Sequence, residues 1–453
     1  MTVASVVGGG LAGCEAAWQL AERGHDVHLF EMRPVQSTPA HRTDSLAELV
    51  CTNSFKSVDP ANAHGLLKQE MRQLGSLLLE AAAETRVPAG TALAVDRVAF
   101  SQAISERVLA HPRITLVRRE IPTLPDGPTV VATGPLTSPA LVADIERLLG
   151  GTGLAFYDAI APIIAADSID TNVVYGASRW GKGDSTDYLN CPLDASQYRA
   201  FLEALRAADV YPGHDWENIP YFEGCLPIEV MASRGDDTLR FGPMKPVGLR
   251  DPRTGRRPWA VVQLRREDRA GQMWNLVGFQ TRLRTGEQRR VFRMIPGLEQ
   301  AEFLRMGGIH RNTYLNFPAE LNAYGAPHSR ADLIFAGQLT GVEGYTESAA
   351  SGILAGINLD RILRGAAPVL PPPTTMLGAL YRYLREAPPG RFQPMNSNFG
   401  LLDAPDDYTR DKGERRRRVL ERAHRDFTQW VASQQLARPG STPVEPAMAG
   451  AIA

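Results

Sequence analysis

Residues 2–31 read TVASVVGGGLAGCEAAWQLAERGHDVHLFE. Thr2 to Val7 has the pattern of a short strand, and Gly8, Gly10 and Gly13 fill the three glycine positions of G-x-G-x-x-G. A helix is expected from there to Gly24, since Leu11, Ala16, Ala17, Leu20 and Ala21 fall near the spacing of one buried face. Gly24 suits a left-handed C-terminal cap. A second strand, Asp26 to Phe30, closes on Glu31. The unit is strand, helix, strand, as in dinucleotide-binding folds.

Each position has a physical task. Gly8 permits the tight turn, Gly10 admits a pyrophosphate close to the backbone, and Gly13 lets helix and strand pack closely. The N–H groups and positive dipole end of the helix receive phosphate charge. Glu31 stands where a carboxylate can accept from ribose hydroxyls and repel a 2′-phosphate. A bare glycine motif is weak evidence, but the strand before it, the helix after it and the closing acid agree. FAD is favoured over NAD, because the motif opens the chain and a second flavin-type segment lies far downstream.

The chain has 453 residues with a net charge of −1, 43% hydrophobic and 22% charged. That composition is ordinary for a soluble globular protein of two or three domains. No apolar run is long enough to span a bilayer and no secretory signal is evident, so a cytoplasmic protein without membrane association is expected. Cys14, Cys51, Cys191 and Cys225 are scattered, with no metal-type spacing and too few thiols for a disulfide scaffold. The nine histidines show no ligand grouping either, His25 and His28 reading as structural, so no metal is expected.

The fold class expected is α/β, a Rossmann-like FAD-binding domain with an α+β insertion domain and a C-terminal helical segment. Residues 1–150 form the first part of the FAD domain. A helix is expected over 61–84 despite Gly75, another through about Leu109, and strands at Ile114–Val117 and Thr129–Val131, the latter leaving through Thr133-Gly134. From 151 to 324 short strands alternate with Gly/Pro turns around a helix near 195–208, as in an inserted domain. Residues 325–453 resume the first fold through Leu333-Ile334-Phe335-Ala336-Gly337-Gln338 and a small-residue helix, Ala349 to Leu363. C-terminal helices follow Pro368–Pro373, and the tail from about Ala437 is expected to be disordered.

Several segments together resemble one family. They are Gly8–Gly13 with Glu31-Met32-Arg33-Pro34, Val50-Cys51-Thr52-Asn53-Ser54, and Val131-Ala132-Thr133-Gly134-Pro135. Further on come Asp187-Tyr188-Leu189-Asn190-Cys191-Pro192, Phe241-Gly242-Pro243-Met244-Lys245-Pro246-Val247-Gly248, His310-Arg311-Asn312, Gly341–Tyr345 and Gln393-Pro394-Met395-Asn396. In this order, and over almost the whole chain to about residue 430, they resemble the folate- and FAD-dependent tRNA (uracil-5-)-methyltransferases, the TrmFO family. The related MnmG (GidA) flavoproteins carry a longer C-terminal helical region than this chain can hold.

The resemblance implies methylation of the T-loop uridine of tRNA, position 54, at C5. The carbon comes from 5,10-methylenetetrahydrofolate and the electrons from FAD reduced by NADH or NADPH. Uracil C5 is a poor nucleophile until a thiolate adds at C6, so the reaction needs an activated cysteine, a base and a one-carbon carrier. By resemblance Cys51 and Cys225 are the catalytic pair, one as nucleophile and one as base or second nucleophile, in an order left open. Cys14 is expected only to pack, and Cys191 is either structural or substrate-facing.

The cofactor residues expected are Gly8, Gly9, Gly10, Leu11, Ala12, Gly13, Glu31, Arg33, Asn53, Thr133, Gly134, Gly337, Gln338, Gly344 and Tyr345. Substrate contacts are expected from His310, with its imidazole stacked on a pterin, and from Arg311, Asn312, Arg282 and Arg284. Residues 251–293 hold eleven Arg against four acids, and residues 410–425 hold seven Arg and one Lys against three acids. Such stretches can meet RNA phosphates. With only five Lys in the chain, the arginine richness also fits a bias in genome composition and a merely solvated face. The target base would have to leave its stack to react. Alternative readings are a ribosomal RNA methyltransferase of the same chemistry, a flavin oxidoreductase on a small substrate, an MnmG-like tRNA-modifying protein, and a non-catalytic tRNA-binding flavoprotein. The oligomeric state stays open.

Overall fold

The computed structural model describes residues 3–38, 40–150, 154–184, 187–211, 226–404 and 411–436, with nothing to be said of the side chains of 154–158, 309–311 and 412. Cys225 and the tail from 437 lie outside the described residues.

The chain opens with β1 (Ala4–Val7), α1 (Leu11–Glu22) and β2 (Val27–Glu31). Gly24 stops α1 at φ +94°, the left-handed conformation expected of it. Next come β3 (Ser54–Ser57), α2 (Ala63–Gln73) and α3 (Leu77–Glu84). The expected single helix over 61–84 is two helices. Gly75, at φ +73°, breaks the run, and Ser76 starts α3 by accepting from Leu79 N at 3.2 Å. The buried carboxylate of Glu15 on α1 also receives the Ser76 hydroxyl and the Leu77 and Leu78 amides. Then follow β4 (Arg86–Val87), β5 (Ala92–Val95), α4 (Arg97–Ala110, capped by Asp96), β6 (Ile114–Arg118), β7 (Thr129–Val131) and α5 (Pro139–Leu149). Strands β3, β5 and β4 form a small antiparallel sheet.

The chain leaves along β8 (Leu154–Ile160) and builds β9 (Ile163–Ala165), β10 (Tyr175–Gly176), β11 (Tyr188–Leu193) and α6 (Ala195–Arg206). After α7 (Ile228–Ser233) and α8 (Thr238–Phe241) come β12 (Ala260–Arg266), β13 (Met273–Leu276), α9 (Thr285–Phe292) and β14 (Phe303–Arg305). Six strands make one antiparallel sheet in the order β10-β11-β12-β13-β9-β14. Helix α6 closes its own core with Cys191, Phe201, Val262, Phe279 and Phe292. Cys191 is therefore structural; burial pushes its thiol up. The return strand β15 (Gly308–Tyr314) pairs antiparallel with β8 along its whole length, and α10 (Phe317–Glu320) follows. Tyr314, Leu315, Phe317 and Leu321 already pack in the first core, ahead of residue 325.

The chain ends with β16 (Leu333–Phe335), α11 (Tyr345–Leu363), α12 (Met376–Glu386) and α13 (Lys412–Ser433). Strand β16 completes a five-stranded parallel sheet, β16-β7-β1-β2-β6. Val7, Val131 and Phe335 lie in register, so the glycine turn, Thr133 and Gly337 all leave the same carboxyl edge. Helices α1 and α11 pack backbone to backbone there. A Cβ on Gly352 would stand 2.2 Å from the Ala12 carbonyl, and one on Gly356 would stand 2.8 Å from that of Ala16. No helix of the described residues is long and apolar enough to cross a membrane.

Candidate active site

The carboxyl edge of the parallel sheet opens into a cleft lined by Gly8, Gly9, Gly10, Glu31, Arg33, Thr133 and Leu136 among others. Leu136 also lines a second cavity with Cys51, Thr52, Asn312, Gln338, Glu343, Gly344, Tyr345 and Glu347. The two therefore adjoin at Leu136. One end lies at the glycine turn and the other at Cys51, and ligands of open α/β sheets bind at such an edge.

The turn is built for close approach. Gly8 has φ +106°, and a Cβ on Gly13 would sit 1.7 Å from the Gly8 carbonyl, so neither position admits a side chain. Gly10 faces open space instead. Helix α1 starts at Gly10 and α11 at Gly344, and neither start carries a side-chain cap. Two sets of N–H groups and two positive dipole ends thus face the cleft. The Glu31 carboxylate accepts from Gly9 N at 3.0 Å, from Arg33 N and Nε at 3.0 Å, and from Arg33 Nη2 at 3.2 Å. Burial alone would raise its pKa; the Arg33 hydrogen bonds and charge and the Gly9 N–H hold it below the ordinary carboxylate range. All four lone-pair directions are used, so a ribose hydroxyl reaching Glu31 must share or displace an Arg33 contact. Open Gly10, uncapped helix starts and an ionised acceptor at the far wall fit a dinucleotide.

The Cys51 segment is gripped from every side. Arg97 donates to the Leu49 carbonyl and Arg305 to the Val50 carbonyl, the latter at 2.6 Å. Tyr345 Oη accepts from the amides of Cys51 and Thr52. Arg265 reaches Thr52 Oγ1 at 2.6 Å and Asn53 Oδ1 at 3.1 Å. The Cys51 sulfur lies 4.0 Å from the Ala159 carbonyl on β8, and both Arg97 and Arg305 are within electrostatic reach of it. Glu267 anchors Arg97 at 2.6 Å. Cationic surroundings of this kind favour a thiolate. Burial is the first influence on Arg97 and would lower its pKa, but Glu267, Tyr345 and Cys51 carry it above its ordinary value.

At the start of α11 a buried carboxylate faces the same cavity. Glu347 Oε1 accepts from Ser397 N at 2.9 Å and Oγ at 2.7 Å, with His64 Nδ1 at 3.3 Å. Glu347 Oε2 has no hydrogen-bond partner among the described residues and would meet a Cβ on Gly344 at 2.4 Å. Burial would raise this carboxyl, yet the His64 contact, the Lys56 charge and the Ser397 amide hold it down at about 2. Nearby Lys68, fully buried, is pulled down to about 7 by burial and by Arg72 and Lys56, against the opposing charge of Glu347.

Of the residues expected from sequence, the glycine turn, Glu31, Arg33, Thr133, Cys51, Asn312, Gln338, Gly344 and Tyr345 border these cavities. Leu11 and Ala12 form the first turn of α1 behind the glycines, and Gly134 follows Thr133 at φ +69°. Gly337, at φ +75°, lies against Ala12 and donates its amide to Ser351 Oγ. Asn53 does not border them. Its amide donates to the Val95 and Arg266 carbonyls and its oxygen accepts from Arg265, so it braces β5 against β12. His310 and Arg311 lie on β15 opposite Asp158 and Tyr157; their side chains lie outside what is described.

Arg282 and Arg284 do not line the cleft. Arg282 lines a surface recess beside Glu229, and Arg284, exposed, begins α9. The basic stretch 251–293 is not one phosphate-facing surface: Arg265 is buried under Thr52, Arg253 pairs with Asp251 and Arg290 with Glu287. Sequence reasoning missed Arg97, Arg265, Arg305, His64 and Glu347. The arginines were visible only as charge, and their partners, backbone carbonyls for Arg97 and Arg305 and the Thr52 and Asn53 side chains for Arg265, lie far away in sequence.

Cys225 lies outside the described residues. Ile228 N donates to Gln280 O at 2.7 Å, and Thr281 N reaches Ile160 O at 3.4 Å, next to Ala159.

A family model described as glucose inhibited division protein A matches residues 3–367. The methylenetetrahydrofolate–tRNA-(uracil-5-)-methyltransferase TrmFO of Geobacter sulfurreducens is 55% identical over 430 residues, covering 95% of this chain and 99% of that protein. The protein of the same name from Rubrobacter xylanophilus is 56% identical over 428 residues, covering 92% and 95%. Among solved structures, Aquifex aeolicus GidA in its form II crystal superposes with a TM-score of 0.67 at 17% identity, covering 96% of this chain and 75% of that one. That likeness shows the fold alone. Identity above one half along nearly the full length of both partners makes this chain a member of the TrmFO family, on a GidA-type fold.

Proposed function

We propose that this chain methylates a uridine of tRNA at C5, taking the carbon from 5,10-methylenetetrahydrofolate, with FAD held in the cleft between the glycine turn and Tyr345. The observation that carries the reading is the Cys51 segment, fixed by Arg97, Arg305, Arg265 and Tyr345 at one end of a cleft shaped for a dinucleotide. The relatives named TrmFO support the reaction.

Phosphates would be held by the starts of α1 and α11, and the ribose by Glu31 with Arg33. Reduced FAD, when bound, supplies the electron pair that turns the transferred methylene into a methyl group, and NADH or NADPH restores it. A thiolate adds to uracil C6, C5 then attacks the methylene carbon carried by folate, and that carbon's bond to the folate nitrogen breaks to release tetrahydrofolate. A base takes the C5 proton and the thiolate leaves. Cys51 is one of the two thiols of this scheme and Cys225 the other, in an order left open. His310, Arg311 and Asn312 are proposed for the folate side, the T-loop uridine at position 54 as the target, and the cytoplasm as the location.

The test mixes purified protein, NADPH, labelled methylenetetrahydrofolate and unmodified tRNA. Label at C5 of the T-loop uridine is expected. Label confined to ribosomal RNA would move the function to that substrate, and NADPH oxidation without labelled RNA would leave only a flavin oxidoreductase.

A further inference from the structure

Trp180, between β10 and β11, combines two unfavourable features. It is 69% exposed, and its backbone sits at φ +60°, ψ +20°. The left-handed region costs a bulky residue roughly 1 kcal/mol or more, and an indole left in water forgoes its burial. The surrounding contacts hold it there all the same. Trp180 N donates to Gly248 O at 2.9 Å, and the preceding Arg179 is fixed to Gln263 at 2.9 Å and the Val247 carbonyl at 2.8 Å. One ring face lies on Gly248, itself at φ +85°, where a Cβ would stand 2.9 Å from the indole. Gly248 thus backs the ring. The ring also borders a surface recess lined by Val247, Gly248, Arg250 and Arg257.

The cations around the ring are exposed, Arg250 donating to the Gly255 carbonyl at 3.3 Å. Arg250, Arg257, Lys182 and Lys245 are all exposed, and none forms an ion pair among the described residues. The platform is also coupled to Cys51. Asp187 accepts from Gly90 N at 2.9 Å and Tyr188 donates to Ala89 O at 3.1 Å, which ties this loop to the β4–β5 hairpin. Strand β5 pairs with β3, which begins three residues after Cys51.

We propose that Trp180 is a stacking platform for an unpaired base of the RNA substrate, outside the methylation site, with Arg250 and Arg257 on the adjoining phosphates. A largely exposed ring backed by Gly248 and flanked by exposed cations is what single-stranded RNA recognition needs. The inference rests on the RNA-methylation reading and extends it to a second contact.

The experiment uses the full-length flavin-loaded protein and an unmodified tRNA transcript, with binding measured across a salt series. Trp180→Gly removes the ring and relaxes the backbone, so folding is not at risk. It should weaken tRNA binding about tenfold or more, while Trp180→Phe should stay within about threefold of the parent. Arg257→Gln should lower the slope of log affinity against log salt by about one. Unchanged binding by Trp180→Gly, or a Trp180→Phe variant as weak as the glycine one, overturns the platform while leaving the methylation reading intact. A parent protein that binds no tRNA overturns both.

Discussion

The phenol oxygen of Tyr345 accepts the backbone N–H groups of both Cys51 and Thr52, at 2.8 and 3.2 Å. Tyr345 opens α11, whose start borders the cofactor cleft, so one side chain couples the flavin end of the site to the thiol. Burial, first of all, and then the Cys51 charge push the phenol above its ordinary value, so it acts as a neutral hydroxyl. Tyr345→Phe leaves two amides without their acceptor, a loss of about 1–3 kcal/mol in positioning. Flavin absorbance should remain, and single-turnover labelling of tRNA should fall about tenfold or more. Parental rates from the Phe variant would show that the segment holds its place without the phenol.

Two glycines of one motif should fail differently. Gly10 faces open space, so Gly10→Glu should fold with a parental unfolding midpoint in the flavin-free state yet purify colourless. Gly13→Ala puts a methyl 1.7 Å from the Gly8 carbonyl and must move the backbone, so it should lose stability as well as flavin. Thermal melts of the flavin-free proteins beside bound-flavin spectra separate the two. A yellow Gly10→Glu protein would contradict the phosphate-site assignment.

Both thiols are expected to be essential and neither to hold the flavin. Cys51→Ala and Cys225→Ala should each abolish RNA labelling while keeping flavin absorbance. Cys14, by contrast, is buried behind the glycine turn with its thiol on the Gly9 carbonyl at 3.4 Å, where burial pushes its pKa up. Cys14→Ala should therefore still methylate. Full labelling by Cys225→Ala would remove that residue from the mechanism.

The first thirty residues announced the parallel sheet and its cleft because their signals are local: a glycine motif, a helical period and a closing acid. Gly75 was misjudged because a glycine inside a helical pattern can be tolerated or can terminate it, and only the Ser76 cap, joined by distant Glu15, decides. Asn53 shows a different limit. It was legible as part of a polar segment beside Cys51, but its partners are Val95, Arg265 and Arg266, more than forty and two hundred residues away. The same distance hid Arg97 and Arg305, whose work is done on backbone carbonyls that leave no mark in a sequence.

Glu347 predicts a pH dependence of stability. Its pKa is held at about 2, below the ordinary 4.5, so ionised Glu347 stabilises the fold above pH 4.5 and that stability is lost as pH falls toward 2. The full effect is at most about 3 kcal/mol. Glu347→Gln should lower the urea midpoint at pH 6, and the gap from the parent should narrow by pH 3. A gap independent of pH would mean that packing rather than charge holds the start of α11.

Arg265 makes the last test, because it does not itself line the cleft yet holds the segment that carries Cys51. Its guanidinium reaches Thr52 Oγ1 and Asn53 Oδ1 together, a fork that a single ammonium cannot reproduce. Arg265→Lys keeps the charge and loses one of the two contacts, about 1–2 kcal/mol of constraint. The variant should bind FAD normally, label tRNA several-fold more slowly, and show altered alkylation of Cys51 by iodoacetamide, followed by mass spectrometry of the Cys51 peptide. Slower labelling with unaltered Cys51 alkylation would place the role of Arg265 in RNA contact rather than in holding the thiol. That outcome would return this arginine to the phosphate-facing role its basic neighbourhood first suggested.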